Sequence, residues 1–379
     1  MKMKKKITIS LIILAVIVAG IAIYFAQKPK EPETIKIGAI LPLTGELAEF
    51  GVDEKRGMDL AIEEINSGGG INGKELSIVY EDSKSDPKIA VSALQKIIAT
   101  VKPPVVFSLG SSISLALAPI IDKNKIVLVA VASTPELSGK SPYIFRNFPS
   151  ATLQAQKLAN LAYSELEIRE IAILYINDDL GIGNKNAFVE FFTKLGGKVI
   201  FEDAFLKDGK DFRALVSKVL TVKPQAIYVP GYGNALALLV KQLREAGYKG
   251  KILSSQEFGY PTVLNVAGNS AEGVIYSDIP YEPTSEETDV KNFVIKFKSY
   301  YGKEPTLDAV LAYDEVKIVA EIIKKVGISP LKIRNELAQL KNFKGITGYI
   351  SVLPNGDIDF SVVLKTIKNS KPTIYKKLN

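Results

Sequence analysis

The residues best suited to chemistry gather just after short apolar runs. Leu109-Gly110-Ser111-Ser112-Ile113-Ser114 follows one such run and opens a helical periodicity over residues 115–122. A strand-to-helix junction of this kind presents free backbone N–H groups and the positive end of a helix dipole, which suits a carboxylate. Capping of the helix by Ser111 or Ser112 is the plainer role, and the two roles are compatible. Ala132-Ser133-Thr134-Pro135 follows the next apolar run in the same way, so in a parallel sheet both loops leave one carboxyl edge. Further along, Tyr232 follows the run at 226–229 and Glu257 follows that at 251–253, the matching post-strand positions. If the two sets face each other across a cleft, an anion site opposes an acid and an aromatic, and a zwitterion satisfies both. Taken alone, Glu257 reads as a solvated loop carboxylate.

Other segments carry less. Ser67-Gly68-Gly69-Gly70-Ile71-Asn72-Gly73 follows a helix and precedes a strand, the reverse of a phosphate loop, and reads as a turn. Gly181 and Gly183 open a helix after a strand, but neither a third glycine nor a Lys-Ser/Thr pair completes a nucleotide fingerprint. The chain has no Cys and no His, which removes thiolate nucleophiles, disulfides, cysteine-based zinc sites and every triad built on imidazole. An enzyme would have to use Asp178, Asp179 or Glu257 as acid or base, with no paired carboxylate, metal cluster or cofactor loop beside them. We therefore expect a binding protein with no metal and no cofactor.

The elements that must position these residues alternate. β-Branched runs at 35–41, 76–80, 105–109, 126–131, 171–175, 199–205, 226–229, 251–253 and 274–277 read as strands. Amphipathic helices are expected at 55–66, 87–100, 152–164, 184–195, 211–221, 236–246 and 289–301. This rhythm predicts an α/β architecture with parallel sheets covered by helices on both faces. Proline-interrupted stretches at 132–150 and 279–287, and a third candidate near 343–348, predict three hinge crossings between two discontinuous lobes. The expected division is 34–150 with 281–345 for the first lobe and 151–280 with 346–379 for the second.

At 379 residues the chain is long enough for two domains with separate cores. Its net charge of +7 is concentrated at the N-terminus, where residues 1–33 hold six lysines against two glutamates. The remaining 42 basic and 39 acidic residues leave a nearly neutral body, with no basic-aromatic run suited to nucleic acid. Lys2, Lys4, Lys5 and Lys6 precede an uncharged apolar run at 7–26, about one bilayer core in length. Its length and its Ile-Tyr-Phe-Ala end favour an uncleaved anchor over a cleaved signal peptide. Lysines kept on the cytoplasmic side would place the body outside the cell membrane, on a short proline-stiffened tether at 28–34; a cleaved segment would leave it secreted.

The order of motifs along the body resembles the type I periplasmic-binding family, and within it the leucine/isoleucine/valine-binding proteins of ABC importers. Ile35-Lys36-Ile37-Gly38, Leu41-Pro42-Leu43-Thr44-Gly45, Phe50-Gly51, Gly57, Glu64-Ile65-Asn66 and Gly69-Gly70-Ile71-Asn72-Gly73 open the likeness. Asp82, Asp86-Pro87, Ser133-Thr134-Pro135-Glu136-Leu137, Phe145-Arg146, Ala312-Tyr313-Asp314 and Thr347-Gly348 continue it, over roughly residues 35–366. The resemblance implies two Rossmann-like lobes that close on a ligand. Its α-carboxylate would be held by the Ser111–Ser112 region and the Ser133 amide. The ammonium would meet the carbonyl of Val131 or Ala132, the Ser133 hydroxyl and Glu257, with Phe50 and Tyr232 flanking the side chain. Leu180 stands where relatives commonly carry an aromatic, and Ser85 and Gly110 lie near the places of a cysteine pair that some relatives form.

The expectation is a monomeric extracytoplasmic solute-binding protein that captures a branched-chain or other hydrophobic amino acid and delivers it to ABC permease subunits. The same fold could instead take an amide, a urea or a carboxylate ligand, or serve as a membrane-tethered sensor.

Overall fold

Two fully buried strands set the pattern of the first lobe. β-Branched residues dominate Val105–Leu109 and Val127–Val131, and every residue of both is buried, as strands covered on both faces must be. The computed structural model describes residues 34–377, so the apolar run at 7–26 and the tether at 28–33 lie outside the described residues. Among the described residues, no helix is long and apolar enough to cross a membrane.

In the first sheet, β1 (Ile35–Leu41), β2 (Leu76–Asp82), β3 (Val105–Leu109), β4 (Val127–Val131) and β5 (Ile144–Arg146) lie in the order β2-β1-β3-β4-β5, all parallel. Helices α1 (Ala48–Ser67), α2 (Pro87–Thr100) and α3 (Ser111–Asn124) follow the first three strands. The second sheet runs β14-β13-β10-β9-β8-β6-β7. Its parallel part is β6 (Glu170–Ile176), β7 (Lys198–Phe205), β8 (Ala226–Val229), β9 (Lys251–Ser254) and β10 (Ile275–Asp278). Helices α4 (Ala151–Asn160), α5 (Asp179–Lys194), α6 (Arg213–Thr221), α7 (Gly233–Glu245) and α8 (Pro261–Ala267) alternate with these strands.

In each sheet the direction of strand addition reverses once, between β1 and β3 and between β6 and β8. Crevices at such reversals, beyond the carboxyl ends of the strands, are where doubly wound sheets bind ligands.

Three more helices return to the first lobe: α9 (Thr288–Tyr301), α10 (Leu307–Val326) and α11 (Pro330–Ala338). Phe293 and Phe297 of α9 pack with Leu60 of α1 and with Ala309 and Val310 of α10. The crossing of α1 and α10 is close enough to require glycine, since a Cβ on Gly57 would lie 1.9 Å from the Ala309 carbonyl oxygen.

Three differences from the sequence expectation have local causes. The break expected over 132–150 contains β5, which pairs with β4, so the first crossing is confined to 147–150; three residues are too few to show a strand period. The hairpin of β11 (Phe343–Gly345) and β12 (Gly348–Ile350) stands where the third irregular stretch was expected, and it and the segment after it bond to α10 and β5. Asp314 accepts the N–H groups of Ile346 and Thr347, and Asp357 pairs with the buried guanidinium of Arg146 at 2.5 Å. The last of these bonds are made by Ile358 and Asp359. Beyond them, β13 (Val363–Lys368) and β14 (Lys371–Lys377) add an antiparallel edge to the second sheet, where only parallel strands were expected. Asn369 and Ser370, both at positive φ, make the tight turn between them.

Gly57→Ala should lower the unfolding free energy by about 2 kcal/mol despite alanine's better helix propensity, because α1 and α10 must separate to admit the methyl group. A urea denaturation midpoint lower than wild type checks this.

Candidate functional site

Residues at the ends of β3 and β4 build one wall of a cavity of about 370 Å3. Gly110, at φ +105°, turns the chain from β3 into α3 and occupies the N-cap without a side-chain hydrogen bond. The first intrahelical bond runs from Ser114 N–H to the Gly110 carbonyl, so the N–H groups of Ser111, Ser112 and Ile113 have no acceptor within the helix. Serine capping is thus not what happens here. The buried Ser111 hydroxyl instead accepts the Thr134 N–H at 3.3 Å, tying the loops after β3 and β4 together. The Gly110 N–H donates to the Val131 carbonyl at 2.9 Å, a second tie. Ser133 is buried, and its hydroxyl accepts Asn184 Nδ2 at 3.4 Å from the other lobe.

The opposite wall comes from the ends of β6, β8 and β9. Glu257 lies in the 3-10 turn Gln256–Gly259 after β9, buried, with Oε2 lacking any hydrogen-bond donor among the described residues. Burial pushes its carboxyl up to about 7, and the nearby carboxyls of Asp178 and Asp278 act in the same direction. A hydrogen bond from Ser255 opposes the shift without reversing it. Asp178 caps α5 by accepting the Gly181 N–H at 3.0 Å and also accepts the Tyr232 hydroxyl at 2.8 Å. Burial still raises the Asp178 carboxyl above its usual range. Leu180, half-buried in the first turn of α5, closes this side.

Aromatic rings fill the space between. Phe50 of α1 meets the edge of Tyr260 with ring centres 4.5 Å apart, a contact between lobes. Tyr260 lines the cavity together with Asp308 of α10, whose carboxyl burial and the neighbouring Asp53 push up to about 8. Away from the cavity lining, the Thr262 hydroxyl donates to Glu49, and Lys207 lies 3.5 Å from Glu46 at the rim.

All nine residues singled out in the sequence, Phe50, Ser111, Ser112, Val131, Ala132, Ser133, Leu180, Tyr232 and Glu257, lie on this one cavity. The sequence reading missed Tyr260 and Asp308, and gave Asp178 only an enzymatic role. Asp178 and Tyr260 sit in post-strand loops that were already suspected, so the same rule could have found them. Asp308 opens a helix absent from the sequence expectation and carried no signal of its own.

Two helical layers around mainly parallel sheets, with a cleft between the strand ends, define a two-lobed binding protein. The chain matches the periplasmic binding protein family over residues 34–361 and belongs to it. It is 28% identical over 348 residues to the leucine-, isoleucine-, valine-, threonine- and alanine-binding protein of Pseudomonas aeruginosa, covering 89% of this chain and 91% of that one. A solved leucine-binding protein, LivK of Thermotoga maritima, superposes with a TM-score of 0.85 at 31% identity, over 91% of this chain and 99% of that one. LivJ of Streptococcus pneumoniae, a branched-chain amino acid transporter substrate-binding protein solved with isoleucine, superposes at 0.83 with 27% identity, over 91% and 100%. Each of these three relatives is named as a binding protein.

A carboxyl whose folded pKa is raised favours the folded state at low pH and loses that advantage as pH rises through the raised value. Glu257→Gln should therefore gain on wild type in unfolding free energy by roughly 3 kcal/mol between pH 4.5 and pH 8, levelling above 7. Chemical denaturation of ligand-free protein across that range checks the sign and the plateau.

Proposed function

We propose that this chain captures an amino acid with a hydrophobic side chain between its two lobes and delivers it to the permease subunits of an ABC importer. The observation that carries the proposal is the opposition of two complementary ends in one apolar cavity. On one wall the unpaired amides of Ser111, Ser112 and Ile113 suit a carboxylate. On the other, Glu257 is a buried acid with a free oxygen, and a buried carboxylate is costly unless a cation or donor meets it.

An α-amino acid brings both groups in one molecule. The Val131 carbonyl already accepts a backbone N–H, which makes the Ala132 carbonyl and the Ser133 hydroxyl the better partners for the ligand ammonium beside Glu257. Phe50, Leu180 and Tyr232 then flank the side chain. A plain carboxylate ligand would bring neither a cation nor a donor to Glu257. The names of the relatives from Pseudomonas and Streptococcus support amino acids, branched-chain ones among them.

In this reading the crossings at 147–150, 279–287 and 359–362 serve as the hinge, and the first lobe runs from 34 to 146 and from 288 to 358. The protein acts as a monomer held on the outer face of the cell membrane by the apolar run at 7–26. That placement rests on Lys2, Lys4, Lys5 and Lys6 and on the length of the run.

Calorimetric titration of the full chain, unfolded and refolded to strip bound ligand, should give one leucine, isoleucine or valine per chain. Glu257→Ala should weaken binding by 100-fold or more, as removing one partner of a buried charged pair costs about 3 kcal/mol or above. Absence of heat with any amino acid would overturn the substrate assignment.

A further inference from the structure

Gly181 and Gly183, which in the sequence fall short of a nucleotide fingerprint, have no part in the binding reading. Both are buried at the start of α5, and each is held to glycine by a different neighbour. A Cβ on Gly181 would lie 1.9 Å from the Ile176 carbonyl oxygen, inside its own lobe. A Cβ on Gly183 would instead meet the first lobe, 3.0 Å from Pro135 Cδ and 3.5 Å from Thr134 Oγ1. Those two residues belong to the loop after β4 that brings Ser133 to the cavity.

Asn184 makes the same crossing with hydrogen bonds. Its Nδ2 donates to the Leu180 carbonyl at 3.0 Å in its own helix and to the Ser133 hydroxyl at 3.4 Å in the first lobe. The Leu180 carbonyl fixes which way the amide points, since Oδ1 in that place would face another acceptor. Oδ1 is left without a donor among the described residues, in a side chain with 0% exposure. A buried amide with an unpaired oxygen lowers stability, so folding alone does not account for an asparagine here.

The place of this contact gives it leverage. The Ser133 carbonyl accepts the Ala151 N–H at 2.7 Å and Arg146 Nη1 at 3.3 Å, from the two ends of the crossing at 147–150. The loop from Ser133 to Pro135 therefore lies beside the hinge, and α5 rests on it. At the rim of the cavity the lobes meet through the exposed pair Lys207 and Glu46, 3.5 Å apart. A small displacement beside a hinge becomes a wider gap at such a rim. Ser133 is also a ligand residue in the binding reading. Its hydroxyl has one proton and two lone pairs. Asn184 occupies one lone pair, which leaves the other for a ligand ammonium and the proton for a ligand carboxylate. Hydrogen bonds that share an atom in this way strengthen one another.

We propose that the start of α5 is a hinge-side stop for lobe closure: Gly183 sets how near the lobes come, and Asn184 is a positioning residue that ties this approach to the ligand through the Ser133 hydroxyl. The tie to the ligand rests on the amino-acid reading; the stop does not.

In the first arm, leucine association and dissociation are followed by stopped-flow tyrosine fluorescence, and affinity by calorimetry. Gly183→Ala should release leucine roughly five- to tenfold faster with little change in association rate. Its ligand-free urea midpoint should stand at or above wild type, because alanine is the better helix former and parted lobes relieve the clash. A wild-type dissociation rate, or a lowered midpoint, overturns the stop. Asn184→Leu, of similar size, should weaken leucine roughly three- to tenfold in wild type, but less than about twofold in a Ser133→Ala background. A merely structural role would cost the same in both backgrounds, and that result overturns the tie to the ligand.

The second arm needs no ligand. The chain contains no cysteine, so spin labels on the exposed positions Lys88→Cys of α2 and Ser217→Cys of α6, one in each lobe, report a single distance. Gly183→Ala should move the distribution to longer values. An unchanged distribution overturns the stop whatever molecule the cleft takes. Leucine that fails to bind wild type, with Gly183→Ala still lengthening the distance, overturns the amino-acid reading and leaves the stop standing.

Discussion

The arrangement turns on charge placed where water is scarce. One wall of the cleft ends in helix amides without acceptors, and the other ends in a buried carboxyl with a free oxygen. In a low-dielectric space each is costly alone, and a single molecule carrying an anion and a cation at a fixed separation offsets both costs together. In the reading proposed above, the same burial that raises Glu257 to about 7 favours a ligand that brings a cation or a hydrogen-bond donor to that wall.

Much of the remaining structure holds those two ends at the right separation. The reversal of strand order in each sheet puts the loops after β3 and β4 opposite those after β6, β8 and β9. Within the first wall, Ser111 to Thr134 and Gly110 to Val131 lock neighbouring loops into one surface. Behind it, the buried Arg146 binds Asp357 and the carbonyl of Thr134 at 2.7 Å, so the loop carrying Ser133 is tied to the last segment that packs on this lobe. The glycine-dependent approach of α1 to α10 places Phe50 and Asp308 on the same side of the cleft.

The site was more legible in the sequence than the full fold. Ser111, Ser112, Ala132, Ser133, Tyr232 and Glu257 stand at places set by a simple rule, the carboxyl end of a parallel strand or the start of the next helix, whereas Phe50, Val131 and Leu180 came from the family resemblance; strands such as 226–229 are apolar runs with sharp ends. What escaped notice had no such punctuation. The β5 strand is three residues long, β11 and β12 are equally short, and β13 with β14 carries lysines and threonine along an exposed edge that hides any period. Most residues of the long helix α10 are buried, Asp308, Asp314 and Glu315 among them, so charge along it does not mark a solvent face as it does on a surface helix. With that helix went Asp308. Near 346 the difficulty is of another kind: Gly345 and Gly348 mark a hairpin turn, and a hairpin turn looks the same in sequence as a hinge.

The central claim is that one ligand bridges the α3 amides and Glu257. The most direct measurement is a crystal structure of the refolded protein with leucine. The account predicts a carboxylate within hydrogen-bonding distance of the N–H groups of Ser111, Ser112 or Ile113 and an ammonium within the same reach of Glu257. A leucine bound in the reverse orientation, or seated outside the cleft with Glu257 still unpartnered, would contradict it.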